Sequence, residues 1–537
     1  MALAALAALP NAGARAQDWI YTARPGDTLW DLTERYLVSL AYVERLRAYN
    51  DIAEPTALPP GRRIRVPIRW LRVQPAPARV IEVVGAAEMV DAGGATAPLT
   101  AGQQLATGDR VRTPTGASTT IEFADGSRMV VLPESDVEMD SLSMYGDTGM
   151  VDSLSRLRGG RVESTVRPAV GPGSRFRIGT PAAVAAARGT GFRVGYSADD
   201  GAARTEVTEG TVGVSDERQT RTLSAGFGVV ARPGERLARP RPLLPAPDLS
   251  ALPARQERPI VRLAWPAVAD AVRYRAQIFA GESAERLLLD TVVDAPATAL
   301  EAPPDGDYLL SVRAIDAESL EGLDARLPIV VDALPLPPPP LRPPHEAAMP
   351  ATNVPELWWS VPQDAAAFRL QIADNPAFSP PLLVDTELDG DRFTPPGELP
   401  PGTYYWRLST RTASGDVGPF GDTRAFRLQL VPPGVEAAPP AVGEETVEFS
   451  WSEALGAVRY EFDLARDEGF TDIVEHLEVD SPRVQLPTPS AGVYYFRARG
   501  VSAENVPGTY GPPSRLEVPS NFPWWLLPIG GLLLILL

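Results

Sequence analysis

Hydrophobic residues near the start of the chain follow two periods in turn. The spacing i, i+3, i+7 and i+8 of a single helix face is present at Leu29, Leu32, Tyr36 and Leu37. Asp27 or Thr28 precedes this face as its predicted N-cap, and a second helix is predicted over residues 42–49. Alternating apolar residues predict short strands at 20–23 and 63–66. The pattern therefore predicts a β-α-α-β unit of about 50 residues.

This unit resembles a LysM domain over residues 21–67, which begin YTARPGDTLW and end GRRIRVP. The resemblance implies a ligand that contains N-acetylglucosamine, such as peptidoglycan or chitin. It also implies a groove between the first strand–helix loop and the second helix–strand loop. The matching positions are Gly26, Asp27, Thr28 and Leu29 on one wall and Asn50, Asp51, Ile52 and Ala53 on the other.

The loop residues also have a purely structural interpretation. A glycan needs backbone hydrogen-bonding groups for its amide arms and an apolar wall for its sugar faces, which a Gly-Asp-Thr turn beside Ile52 offers. Equally, residues 26–29 describe a turn with a helix cap, Asn50 describes a helix stop, and Trp30 describes a core residue. The sequence leaves both interpretations open.

From residue 78 to about 235 the chain reads as short strands separated by Gly and Asp turns. IEFADGSRMVVL at 121–132 places an Asp-Gly pair between alternating apolar residues, which predicts a hairpin with Gly126 in the left-handed region. A Pro-Ala linker at 74–78 is predicted to be extended. Further strands are predicted at 78–84, 176–178, 191–196, 203–208, 211–215 and 228–231.

The same region resembles the FecR domain family. The residues that carry the resemblance are GDRVRTPTGASTTIEFADGS at 108–127, GTPAAVAAARGTGFRV at 179–194 and EVTEGTVGVS at 206–215. It implies an all-β, solenoid-like or sandwich-like domain outside the cytoplasmic membrane. In its best-known members such a domain follows a membrane helix and signals to a sigma-factor regulator. Because neither a membrane helix nor a cytoplasmic segment precedes it here, we expect a scaffold or protein-binding role.

Single residues of this region have structural interpretations. Gly189 and Gly191 are predicted to relieve tight turns, and Arg188 is predicted to cap or to pair with a carboxylate such as Glu206. Asp125 alone supplies too few of the roughly 6 to 8 oxygens that calcium takes. We therefore predict no metal site.

Three internal repeats follow a Pro-rich stretch. Equivalent segments read LAWPAVADAVRYRAQI, LWWSVPQDAAAFRLQI and FSWSEALGAVRYEFDL, and a Gly-x-Tyr strand start comes later in each. Period-2 alternation between Gly and Pro turns indicates β-sandwiches, and the pattern resembles fibronectin type III repeats. The repeated positions are Trp265, Trp359 and Trp451, then Tyr274, Phe368 and Tyr460, then Tyr308, Tyr404 and Tyr494.

The repeated tryptophans allow two interpretations, a core between the sheets or an exposed sugar-binding face. They recur at the same position of each repeat, and the alternation along the strand points them towards the inner face of the sheet, which favours the core. PLPPPPLRPP at 335–344 predicts a polyproline II spacer. An SH3-type ligand is the alternative, and an extracytoplasmic location disfavours it.

Both ends of the chain predict targeting segments. Residues 1–17, beginning MALAALAALPNAGARA, resemble a secretory signal peptide without its basic start. We expect a start codon placed too late or a truncated chain, with a disordered tail as the alternative.

Residues 522–537, FPWWLLPIGGLLLILL, predict a membrane helix with an interfacial Trp pair, shorter than the roughly 20 residues of a full span. A sticky tail or a final strand is the alternative.

Composition removes several classes of function. The 537 residues include no cysteine, no lysine and two histidines, with a net charge of -18. His345 lies in a Pro-rich stretch and His476 in a charged one, so neither a thiolate metal site nor a Ser-His-Asp set can be assembled. We expect no enzyme and no cofactor. The negative charge disfavours nucleic acid as a partner.

Together these features predict a multidomain, mainly β protein: a small α+β LysM unit, an all-β FecR-like domain and three Ig-like or fibronectin type III-like β-sandwiches in series. We expect an exported, periplasmic, non-enzymatic protein of the cell envelope that binds peptidoglycan, presents the FecR-like domain to an unknown envelope protein and reaches a membrane through its C-terminus. A FecR-type sensor or regulator and a secreted adhesin are alternatives. The predicted boundaries are 1–17, 18–71, 78–235, 236–258 (linker), 259–333, 334–350 (linker), 351–431, 440–518 and 522–537.

Overall fold

The computed structural model describes residues 17–351, 355–397, 399–443 and 445–519. The predicted membrane segment and, apart from Gln17, the predicted export segment lie outside the described residues. Within the described part, no helix is both long enough and apolar enough to cross a membrane. The chain divides into two compact units, Met1–Ala333 and Leu334–Leu537. Its described residues are mainly β, which confirms the predicted fold class.

The N-terminal unit, residues 18–72, has the predicted β-α-α-β order. Strand β1 (Asp18–Thr22) pairs antiparallel with β2 (Arg63–Pro67), and helices α1 (Leu29–Tyr36) and α2 (Val43–Tyr49) lie between them in sequence. Each helix has only about two turns, so tertiary packing rather than intrinsic propensity stabilises it. The buried set includes the predicted helix face: Leu29, Leu32, Tyr36, Leu37, Leu46, Ile64 and Val66.

The next eighteen strands form a closed barrel. They are β3 (Val73–Pro75), β4 (Ala78–Val84), β5 (Glu88–Val90), β6 (Thr96–Pro98), β7 (Gln104–Leu105), β8 (Arg110–Thr113), β9 (Ser118–Glu122), β10 (Arg128–Val131), β11 (Ser135–Tyr145), β12 (Val151–Thr165), β13 (Arg175–Gly179), β14 (Val184–Ala187), β15 (Gly191–Tyr196), β16 (Ala203–Glu209), β17 (Thr211–Ser215), β18 (Thr220–Ser224), β19 (Phe227–Ala231) and β20 (Arg241–Pro242). The Asp-Gly hairpin is confirmed, since β9 pairs with β10 and Gly126 has a φ of 80°.

The barrel pairings divide into two sheets that share the long strand β12. Its first half pairs with β11 and β13 in sheet I, whose order is β6-β5-β8-β11-β12-β13-β14-β17-β18. Its second half pairs with β10 and β15 in sheet II, whose order is β7-β4-β9-β10-β12-β15-β16-β19-β20. Gly160 lies at the changeover with a φ of 84°, where a side chain would collide with the backbone of Glu134 and Ser135. Only glycine fits this bend.

Three sandwiches follow the barrel. The first contains β21 (Arg255–Gln256), β22 (Ile260–Ala264), β23 (Arg273–Ala280), β24 (Leu287–Val293), β25 (Ala297–Glu301), β26 (Gly306–Ile315) and β27 (Ala325–Val331). The second contains β28 (Pro340–Arg342), β29 (Ala347–Pro350), β30 (Leu357–Trp359), β31 (Ala365–Ala373), β32 (Val384–Leu388), β33 (Arg392–Phe393), β34 (Gly402–Thr412) and β35 (Arg424–Gln429). The third contains β36 (Ala441–Val442), β37 (Thr446–Ser450), β38 (Ala457–Ala465), β39 (Ile473–Val479), β40 (Arg483–Pro487), β41 (Gly492–Ser502) and β42 (Ser514–Val518).

Each sandwich pairs a small sheet with a larger one, as in a fibronectin type III fold. The repeated aromatics lie in the cores, because Trp265, Trp359 and Trp451 are only 5%, 2% and 6% exposed. Each indole packs on the aromatic residue nine positions later, with ring centroids 5.6–5.8 Å apart. The Tyr404 and Tyr494 hydroxyls donate to carbonyls four residues earlier, at 2.6 and 3.0 Å. A sugar-binding face made of these tryptophans is therefore wrong.

The predicted spacers are partly paired rather than free. β3 pairs with β11, β20 pairs with β19, and β28 pairs with β30. Proline has no N–H to donate, which confines it to short strands and sheet edges, but its carbonyl still accepts a hydrogen bond. The polyproline stretch therefore supplies a strand of the second sandwich, which corrects its interpretation as a spacer.

A buried ionic network joins the barrel to the first sandwich. It consists of Arg161, Glu163, Arg193 and Glu206 from sheet II, and Arg275, Arg313, Glu321 and Asp324 from the sandwich. Arg161 lies 2.9 Å from Glu206 and 3.1 Å from Glu321. Asp324 lies 2.9 Å from Arg193 and 3.0 Å from Arg313. The predicted partner of Glu206 was Arg188, which is wrong, because Arg188 is exposed and Arg161 occupies that place.

Two apolar contacts accompany the ionic network. Val130 and Leu132 of the barrel pack with Phe279, Leu287 and Leu309 of the sandwich. A smaller cluster joins barrel-side residues to the loop before β27: Ala202, Val230, Leu243 and Leu320. Charge pairing and apolar burial thus act on the same face of sheet II.

The second and third sandwiches have no carboxylate at the position of Glu321. Equivalent bridges pair Ile315 with Glu321, Arg411 with Val417, and Val501 with Pro507. The position of Glu321 is therefore valine in the second sandwich and proline in the third. The first sandwich is specialised for the barrel by its charges, while its core is shared with the other two.

Arg313→Met is expected to weaken this contact by about 3–5 kcal/mol, because it removes from a buried site the cation that pairs with both Glu163 and Glu321. Native-state hydrogen exchange of the β26 amides measures the effect. Arg411→Met removes an exposed ion pair of the second sandwich and should cost its strand less than about 1 kcal/mol. Equal losses in the two variants would contradict a buried network.

Acid is expected to open the same contact. Burial alone would raise the pKa of Glu321, but Arg161, Arg275 and Arg313 outweigh it and hold that pKa well below its usual range. Asp324 is likewise buried, and Arg193 and Arg313 lower its pKa to about 2. A carboxyl group whose pKa is lower in the folded than in the unfolded chain stabilises the fold at any pH above its unfolded pKa. This stabilisation is lost as the pH falls towards the folded pKa. The urea midpoint of the β26 transition should therefore drop between about pH 4.5 and 2, and Asp324→Asn should flatten the drop.

Candidate functional site

The two loops implied as a groove lie side by side in the N-terminal unit. The Leu29 N–H donates to the Pro55 carbonyl at 2.9 Å, and the Leu58 N–H donates to the Asp27 carbonyl at 3.1 Å. These backbone bonds tie the β1–α1 loop to the α2–β2 loop. The eight predicted site residues therefore lie on these two adjoining loops and, for Leu29, on the first position of α1.

The first loop is held by Asp27 and Thr28. The Asp27 carboxylate accepts from the Tyr21 hydroxyl and the Arg24 N–H, both at 2.6 Å. The Tyr21 hydrogen bond lowers the pKa of Asp27, whereas burial, together with Asp27, raises the pKa of Tyr21 to about 12. Thr28 is the N-cap of α1 in a capping box with Asp31. The choice between Asp27 and Thr28 as the cap is thus decided for Thr28.

The second loop is held by Asn50. Its side-chain amide donates to the Leu46 and Arg65 carbonyls at 3.0 and 2.8 Å and accepts from the Arg65 N–H at 2.6 Å. Asp51 follows with a φ of 49° and is exposed. Asn50 therefore joins the end of α2 to β2, which fixes the position of the loop.

Three predicted roles need correction. Leu29 and Ile52 are 0% and 2% exposed, so neither offers an apolar wall to a sugar. Trp30, which the structural interpretation put in the core, is 52% exposed. Its position one residue after Leu29 lies off the buried helix face, and that periodicity was the signal that would have found it.

What the loops offer to a ligand is backbone and small side chains. Gly26 has a φ of 89° and open space where a side chain would be. Ala53, Glu54, Thr56 and Ala57 are exposed on the opposite loop. Small exposed residues let a ligand approach backbone N–H and C=O groups closely. In the described residues no three His, Asp or Glu side chains are placed to hold a metal ion.

Family comparisons match both regions. Residues 21–67 match the family model "LysM domain", and residues 109–213 match "FecR protein". The chain contains a LysM domain and a FecR domain. The FecR match includes Arg161, Arg193 and Glu206, so the first sandwich covers part of the FecR domain itself.

Other similar proteins add little beyond the domains. An uncharacterized protein of Deinococcus radiodurans is 34% identical over 50 residues, 9% of this chain and 20% of the relative. A Parabacteroides distasonis protein proposed to be an anti-sigma factor aligns at 15% identity with a TM-score of 0.21, covering 25% of this chain and 59% of that one. The chicken CNTN1 FN1–FN3 structure aligns at 14% identity with a TM-score of 0.20, covering 52% and 98%. The chain thus spans a fifth of the length of the Deinococcus protein.

Ile52→Ala is expected to destabilise the LysM domain by about 2–5 kcal/mol, because it opens a cavity in the core and not because it touches a ligand. Hydrogen exchange of the α1 amides measures this loss. Ala53→Ser on the exposed neighbour should change the stability by less than about 0.5 kcal/mol. A stable Ile52→Ala domain would show that Ile52 is not part of the core.

Proposed function

We propose that this chain is a non-enzymatic protein of the bacterial cell envelope that binds peptidoglycan through its LysM domain. The adjoining, backbone-tied loops at Gly26 and Ala53 are the observation that carries the proposal. A LysM domain beside a FecR domain is typical of an envelope protein, which supports a periplasmic location after export.

In this proposal the FecR domain is a protein-interaction module. Sheet II is covered by the first sandwich, so an external partner would meet the rest of the barrel. The core tryptophans leave the sandwiches as structural repeats, which disfavours a secreted adhesin that binds sugars through them.

A FecR-type envelope sensor is the second candidate. The ionic network favours it, because a barrel and a sandwich locked by buried charges move as one body and can transmit a change at one end to the other. A change in hydrogen exchange at β26 when sacculi bind the full chain would support this function. No change there would leave the scaffold as the better description.

Pull-down with insoluble peptidoglycan sacculi tests the wall-binding proposal. The full chain, kept in mild detergent, should sediment with sacculi, and Ala53→Trp should reduce the bound fraction about tenfold, because a bulky side chain blocks the loops. Ala41→Trp, on another exposed position of the same domain, is the matched control and should bind normally. Absence of sedimentation by the unchanged chain would reject wall binding.

A further inference from the structure

The outer face of sheet I is the broad face of the barrel that the first sandwich leaves open. Its strands carry arginines at regular outward positions, and most of these have a cross-strand carboxylate. Arg110 pairs with Asp136, Arg158 pairs with Glu138, and Arg156 lies 2.7 Å from Asp140. Paired charges of this kind are a solvated face and need no ligand.

One part of this face breaks the pairing. Arg175 and Arg177 on β13 and Arg188 after β14 surround a concavity of about 400 Å³. The strand register puts Arg177 opposite Ala186 and Ala186 opposite Gly213. Direct cross-strand neighbours share a face, so the arginines stand beside a floor of small residues. We call this site, with Thr211, the arginine cradle.

The cradle has more positive than negative charge. Arg177 is held at 2.6 Å by Asp152, but in the described residues no carboxylate lies within 4.0 Å of Arg175 or Arg188, and no acidic residue lines the concavity. Both arginines are exposed. In a chain of net charge -18, two free guanidinium groups over one small-residue floor form a local anion-attracting site.

The cradle lies near the place where the LysM domain packs on the barrel. Met150, just before β12, is buried in the core of the LysM domain. The strand register pairs Asp152, two residues further on, with Arg175. The LysM domain therefore contacts the barrel next to the strand that carries Arg175.

We propose that the arginine cradle binds carboxylate groups of the peptide arms of the wall polymer, as a second contact beside the LysM loops. This inference rests on the proposed wall binding. A guanidinium group presents a planar fork that matches a carboxylate in two parallel hydrogen bonds, and the small floor lets the peptide lie flat against the sheet. The cradle thus binds the charged peptide, while the LysM loops bind the sugar.

The test uses a short wall peptide with free carboxylates and no sugar, titrated into the full chain by fluorescence anisotropy. The combined substitution Arg175→Gln with Arg188→Gln is expected to raise the Kd about tenfold, a loss of roughly 1.4 kcal/mol. Arg236→Gln with Arg239→Gln removes the same charge from exposed barrel positions and should leave the Kd unchanged. Amidating the peptide carboxylates should have the same effect as losing the two cradle arginines.

Three results would overturn the cradle. The first is that the unchanged chain does not bind the peptide. The second is that both double variants raise the Kd equally. The third is that inorganic phosphate displaces the peptide while the amidated peptide still binds fully. Ala53→Trp separates the two proposals, because a sugar-free peptide does not need the LysM loops. Normal peptide binding beside failed sacculus binding would reject the LysM proposal alone, and the reverse would reject the cradle alone.

Discussion

The buried pairing of charges between the barrel and the first sandwich is the constraint on which the N-terminal half depends. Glu206, Glu321 and Arg313 are 0–1% exposed, and a buried charge without its partner costs several kcal/mol. The two domains satisfy these groups together, because three ion pairs cross between them: Arg161 with Glu321, Arg193 with Asp324, and Arg313 with Glu163. These pairs can form in only one relative orientation of the barrel and the first sandwich. The two domains therefore behave as a single body.

The three sandwiches show how one core serves different surfaces. The tryptophan, in edge-to-face contact with an aromatic ring, and the buried tyrosine recur in all three, since they fill the space between two sheets. On the outer face the first sandwich has Asp324, where the second has Phe420 and the third has Tyr510. There Arg407 lies 4.3 Å from the Phe420 ring centroid, and Arg497 lies 3.9 Å from that of Tyr510, so an aromatic ring contacts an arginine where the first sandwich has a carboxylate.

The LysM loops illustrate a related division between holding a loop and using it. The side chains of Asp27, Thr28 and Asn50 form hydrogen bonds within the LysM domain itself. Leu29 and Ile52 anchor the loops from below. The exposed surface of the loops consequently consists of Gly26, Ala53 and Ala57 together with the polar side chains of Glu54 and Thr56.

The sequence by itself determined features with a local cause: the helix face at Leu29 to Leu37, the hairpin at Gly126, the sandwich cores and the order of the domains. Each rests on a period or a turn whose residues are near neighbours in the chain. It placed all eight candidate residues at two segments that the structure brings together, but did not separate Ile52, which is buried, from Ala53, which is exposed. Only the tertiary structure decided that Glu206 faces Arg161 and not Arg188, that proline stretches pair with strands, and that Arg175 and Arg188 share one concavity. Arg161 and Glu206 are 45 residues apart, and at such separations no local pattern specifies a partner, because the pairing depends on how whole sheets pack.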